Sequence, residues 1–246
     1  MLTLLLIFVA LSARASMNQD WQQAGNTYER GDFAEAIRLY EKMADSSPGG
    51  WIYYNLGNAY FKAGQLGEAV LAYRRAQLFL PRSKEVRLNL EQALRSAGVE
   101  ELGPKGVGAL FRMILHFVTL EEHLIIFSLA FLPGVLFGMI WSLTQALWAR
   151  TLSLTLIGCA IMVLIALGCR HLLDSQYREA VILSEETYGH VMPDEHNEKV
   201  FRVTAGNLVY LMGRRRGGWV EVSLHHGERA WIRSADLAPV VLEQSS

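Results

Sequence analysis

After His123 no charged side chain appears until Arg150. A second uncharged run, Thr151 to Cys169, ends at Arg170. Leu124 to Leu143 alone is about 20 residues, which at about 1.5 Å per residue spans the roughly 30 Å hydrocarbon core of a bilayer. A globular hairpin is rarely so continuously apolar. The spacing therefore predicts two adjacent transmembrane helices, at 120–143 and 150–173. Thr119-Leu-Glu-Glu122 is a capping box that marks the first helix start, and Pro133-Gly134 predicts a kink in its middle. Two crossings place the segments before and after them on the same side. The connection, Thr144 to Ala149, carries no charge, so Lys and Arg counts do not orient the pair. Cys159 and Cys169, ten residues apart on one span, cannot bond to each other.

Composition agrees with membrane segments diluted by soluble ones. The chain has 246 residues, 51% of them hydrophobic and only 19% charged, and a mean hydropathy of +0.18. Lys plus Arg number 23 against 24 Asp plus Glu, a balance that excludes a strongly basic nucleic-acid binder. Two cysteines exclude a disulfide-dense scaffold. Met1 to Leu11 is apolar but too short to span comfortably, and Ala13-Arg14-Ala15 fits a small-x-small cleavage site. Residues 1–15 are expected to be a signal peptide, with an uncleaved anchor as the alternative. Both readings put the flanking domains on the periplasmic or exterior face of a bacterial inner membrane. If residues 1–15 do not insert, both domains are cytosolic.

Before the spans lies a repeat. Gly31 recurs as Gly64, Glu35-Ala36 as Glu68-Ala69, Tyr40 as Tyr73 and Pro48 as Pro81, all at one and the same offset. The second copy holds Tyr53-x-x-Leu56-Gly57-x-x-Tyr60, then Ala69-x-x-x-Tyr73, then Pro81. Gly57 and Ala69 are small where two antiparallel helices must approach. Leu56, Tyr60 and Tyr73 fill the space between them. Gly64 closes one helix, and Pro81 stops the next. This is similar to the tetratricopeptide repeat (TPR) family. The first copy lacks the Leu-Gly-Tyr core around Asp20 to Thr27, and Val86 to Gly98 looks like a solvating cap helix. An array over 17–98, two repeats plus a cap, is expected. The resemblance implies a concave groove with Tyr54, Asn58, Phe61 and Lys62 facing a protein partner. Between array and spans, 99–118 reads as a Gly/Pro-bearing linker followed by an interfacial helix from Ala109 to Leu120.

After the spans, five strand-like segments at 180–183, 199–203, 208–212, 219–224 and 230–233 are separated by Gly/Asn/Asp turns. Alternation in Trp219 to Leu224 turns Val220, Val222 and Leu224 inward. Gly218-Trp219-Val220-Glu221-Val222, the turn His225-His226-Gly227, Ala230-Trp231-Ile232 and Ser234-Ala235-Asp236-Leu237 resemble the bacterial SH3-like (SH3b) family, over 177–241. Arg214, Arg215 and Arg216 are placed in a hairpin loop. They are either a solvated charge run or a contact for an anionic partner or lipid headgroup. His190, His196, His225 and His226 invite a metal reading, but without Cys or paired carboxylates at ligand spacing no metal is expected.

No nucleophile elbow, phosphate loop or zinc-hydrolase motif is present, and neither an enzyme nor a cofactor is expected. The fold class expected is multidomain: an α-helical TPR solenoid, a two-helix transmembrane hairpin and a small all-β SH3-like barrel. The TPR core from Asn55 to Gly64, the tail through Leu88-Asn89-Leu90, and the order of parts resemble the BatE-type proteins of the Bacteroides aerotolerance (Bat) operon. That resemblance implies membrane-anchored von Willebrand factor A proteins and a MoxR-type ATPase as neighbours, and an envelope role in stress tolerance. The function expected is a membrane-tethered adaptor in contact with protein partners and the lipid bilayer. The alternatives are a peptidoglycan-binding module and an oligomeric membrane accessory protein.

Overall fold

The computed structural model describes residues 17–99, 114–115, 117–176, 178–224 and 227–241. The expected signal peptide, most of the 99–118 segment and the His225-His226 turn lie outside them. The chain divides into two compact units. One joins Met1–Glu101 with Arg178–Ser246, and the other is Leu102–Tyr177.

The first unit begins with five antiparallel helices: α1 (17–29), α2 (Phe33–Ser46), α3 (Gly50–Lys62), α4 (Leu66–Phe79) and α5 (Lys84–Ser96). Local chemistry sets their ends. Asp32 and Ser83 cap α2 and α5 by accepting from the backbone N–H of Glu35 and Val86. Gly31, Gly64 and Gly98 all take positive φ, and the N–H after each returns to a carbonyl five residues back: Asp32 to Thr27, Gln65 to Tyr60, Val99 to Leu94. Gly57 meets the Tyr73 ring so closely that a Cβ would stand 2.7 Å from it.

The degenerate first copy keeps the repeat's contacts with different residues. Trp21 meets Tyr40 at 6.0 Å between ring centroids, and one repeat further on Tyr54 meets Tyr73 at 6.1 Å. Lys42 binds Asp20 at 2.9 Å, and the corresponding pair is Arg75 over the Tyr53 ring at 5.8 Å. Ala24 takes the place of Gly57, fully buried. The buried Thr27 hydroxyl, in the place of Tyr60, donates to Ala24 O at 2.8 Å.

The C-terminal part of the same unit is one antiparallel sheet: β1 (Arg178–Ile182), β2 (Glu186–His190), β3 (Lys199–Thr204), β4 (Leu208–Arg216), β5 (Trp219–Ser223), β6 (Arg229–Arg233) and β7 (Leu237–Pro239). Strand order is β3-β2-β6-β5-β4-β1-β7. This corrects the expected barrel. The sheet is open, with β3 and β7 as separate edges. Physically, the β7 edge is already occupied. The Arg75 guanidinium of α4 donates to Pro239 O at 3.0 Å and Val240 O at 3.3 Å, and β7 is only three residues long. Val220 and Val222 are buried with Val209, Ile232 and Ile182, and Leu224 packs against them. β2 and β7 escape the alternation pattern. β2 contains Gly189, where a Cβ would lie 2.6 Å from the Phe201 ring and 2.7 Å from the Ala230 Cβ.

Helices and sheet share a core. Val70, Tyr73, Leu90 and Leu94 from α4 and α5 cluster with Val181 of β1 and Val240 beyond β7. At Gly67 the backbones themselves meet: a Cβ there would lie 2.8 Å from Ile182 O and 3.0 Å from the Leu183 Cα.

The second unit is a helical hairpin, α6 (Leu120–Thr144) and α7 (Leu147–Gln176). Both are long and apolar enough to cross a membrane. Thr119 and Glu122 form the capping box, and α6 continues through Pro133. The connection is Gln145 and Ala146, not the whole of 144–149. Gln145 takes a left-handed conformation and donates its N–H to Trp141 O at 2.7 Å. Ala130 and Gly134 of α6 and Ala149, Ser153 and Ala160 of α7 are buried, and a Cβ on Gly134 would lie 3.1 Å from Ile157 and 3.2 Å from Leu156. Small residues thus bring the helices together, while large apolar side chains such as Leu129, Leu132, Leu136, Met162 and Ile165 stay exposed. Hydroxyls on Ser128, Thr144, Thr151 and Thr155 bond back to carbonyls of their own helix.

Candidate partner-binding groove

Trp51, Tyr54, Asn58, Phe61 and Lys62 follow one another on α3 at steps that place them on one side of the helix. The structure divides them into two kinds. Asn58 is half-buried and committed. Its Oδ1 accepts from Tyr73 Oη at 2.7 Å and from Asn89 Nδ2 at 2.8 Å. Asn89 Nδ2 also donates to Tyr54 Oη at 3.1 Å. One carbonyl thereby ties α3, α4 and α5 together, and only the Asn58 amide N–H groups remain to offer a ligand. Burial pushes the Tyr73 phenol well above its ordinary range, with the neighbouring Tyr54 adding to the effect. Tyr73 is therefore a neutral, permanent donor in this network.

Phe61 is also half-buried, packed on the core that α4 and α5 share with the sheet. Lys62 is exposed. The residue sequence reasoning missed is Trp51, 50% exposed, in a T-shaped pair with Tyr54 at 5.6 Å between ring centroids. Its signal was its spacing: three residues before Tyr54 and seven before Asn58, on the same helix face. By repeat register, Trp21 on α1 and Leu88 on α5 take the place of Tyr54, and they are 37% and 45% exposed. Large apolar side chains thus recur along alternate helices of the array while remaining in water.

Tyr60 faces the other way. Its hydroxyl donates to Glu41 on α2. Burial, and then that bond to a carboxylate, push its phenol well above the ordinary range.

The three arginines lie elsewhere, on the sheet. They form the end of β4 rather than a loop, and the turn is Gly217-Gly218. All three are exposed. Arg214 lies 3.5 Å from Glu221, and Arg216 stands opposite Trp219. The groove residues and the arginines are not brought together. Buried His190 forms a T-shaped pair with Trp219 at 5.3 Å between ring centroids, and its Nδ1 lies 3.2 Å from Asn197 O. His196 pairs with Asp194. Among the described residues no group of three or more His, Cys, Asp or Glu could hold a metal ion.

A tetratricopeptide repeat family model matches residues 50–82, which span α3, α4 and the turn after them. Repeats of this kind build extended concave surfaces for binding other proteins. No curated protein matches the chain.

Proposed function

We propose that the protein is a membrane-anchored adaptor whose TPR groove holds a segment of another protein. The observation that carries this reading is the row of exposed Trp21, Trp51 and Leu88 on alternate helices, beside exposed Lys62. These three large apolar side chains keep a third to a half of their surface in water, and a partner that covers them removes that surface from solvent. The anchor is α6 and α7, read as two spans on their length, apolarity and exposed large side chains. Because the array and the sheet share a core, the segments on either side of the hairpin lie on one face of the membrane. The signal-like residues 1–15 support the periplasmic or exterior face.

The resemblance to BatE-type proteins supports membrane-anchored von Willebrand factor A proteins as the partners, in an envelope assembly linked to aerotolerance or stress. The test is co-purification of such a protein from detergent-solubilised membranes. Trp51→Ala/Lys62→Glu changes exposed groove residues and leaves the Asn58 network intact. Loss of the partner by this variant, with its circular dichroism unchanged, supports the reading. Undiminished capture overturns it.

A further inference from the structure

The arginine-tipped hairpin of the sheet has a placement that the adaptor reading does not use. β1 and β4 are antiparallel, with Arg178 opposite Leu211. β1 begins there, but β4 continues for five residues more, to Arg216. The extension is a built ribbon. Met212, Gly213 and Arg214 bulge opposite the single residue Glu221, with Gly213 at φ 77°. Pairing then resumes at Arg215–Val220 and Arg216–Trp219, and β6 reaches alongside through Trp219–Arg233. Gly217 and Gly218, both at positive φ, close it in the two-residue turn that suits strand twist. Three consecutive arginines are thus held on a short, folded projection. Residues 212–221 contain three arginines and one carboxylate, Glu221. Beside them Arg233 lies over the Trp219 ring at 5.8 Å and pairs with Glu195. Met212 on the bulge is exposed.

The chain enters this sheet directly from α7. α7 ends at Gln176 and β1 starts at Arg178, with one residue between. β4 overshoots the start of β1 by about 15 Å at ordinary strand rise. α7 also carries Arg170 and His171 near its end. Three guanidinium groups held together are attracted by anionic headgroups, whose field acts over a Debye length of about 8 Å at physiological salt.

We propose that the β4–β5 hairpin tip, Arg214, Arg215 and Arg216, binds the anionic headgroups of the bilayer that α6 and α7 cross. This rests on the two-span reading. The experiment uses the full chain with Cys159→Ser and Cys169→Ser, and an environment-sensitive fluorophore on Met212→Cys. The protein is placed in nanodiscs of phosphatidylcholine alone, or of phosphatidylcholine with phosphatidylglycerol. The expected result is a blue shift and loss of acrylamide quenching on the anionic discs only, both reversed by added salt. Arg215→Gln/Arg216→Gln abolishes the shift, and Arg215→Lys/Arg216→Lys keeps it. Identical spectra on the two discs overturn the proposal, as does a shift insensitive to salt. Should the glutamine variant fail to fold, the salt titration of the parent and the lysine variant still decide. Alkaline extraction from neutral liposomes separates the two readings. Release of the protein overturns the spans and the hairpin together, whereas retention with identical spectra overturns the hairpin alone.

Discussion

Asn58 shows how one side chain changes meaning between sequence and structure. By repeat position it faces the groove, yet its carbonyl is the acceptor for Tyr73 and Asn89. Asn58→Ala leaves buried Tyr73 and half-buried Asn89 without that partner, and unfolding measurements are expected to show a loss of roughly 2 kcal/mol. Trp51→Ala, at an exposed site, is expected to stay within about 0.5 kcal/mol. Phenols give a second residue-level expectation. Tyr60 and Tyr73 have folded pKa values raised above the ordinary 10.0. Below about pH 10 both states are neutral, and the contribution to stability is full. Above it the unfolded chain ionises while the folded one resists, so stability falls as pH rises. Denaturation at about pH 9 and about pH 11 should show this fall, and Tyr60→Phe should reduce it.

At the level of elements, two glycines inside helices are expected to respond oppositely. Alanine is favoured over glycine in a helix interior by about 1 kcal/mol. Gly25 in α1 has nothing within 4 Å of a built Cβ, so Gly25→Ala should raise the melting temperature. Gly67 in α4 faces the backbone of Ile182 and Leu183, which cannot rotate aside. Overpacking of that kind costs about 1–3 kcal/mol and outweighs the helical gain, so Gly67→Ala should lower the melting temperature. The helices were legible because their periodicity and their closing glycines at 31, 64 and 98 are local signals. β2 was not legible, because its Gly189 is demanded by Phe201 and Ala230 from other strands. Trp51 had a legible spacing, but that half of it stays in water is decided by tertiary packing.

On the scale of the whole molecule, the array and the sheet are expected to unfold together. Val70, Leu90 and Leu94 are completed by Val181 and Val240, and Arg75 closes the sheet edge. In detergent, amide exchange of α4 and of β1 should therefore show one common opening free energy. Two well-separated values would mean that the shared core does not couple them. A chain ending at residue 176 should leave the array with exposed apolar surface on α4 and α5 and a lower melting temperature.

The sequence by itself determined the repeat, the hairpin and five of the seven strands, because each follows from covalent spacing: a constant offset between like positions, uncharged runs as long as a bilayer is thick, alternation along a strand. Tertiary structure decided the rest. It left the sheet open, with Arg75 donating to one carbonyl of the last strand, Pro239 O, and to Val240 O just beyond it. It turned Asn58 from a groove donor into a tie between three helices. It also joined segments separated by the entire hairpin into one core, since apolar surface is buried by whatever lies near in space, however far along the chain.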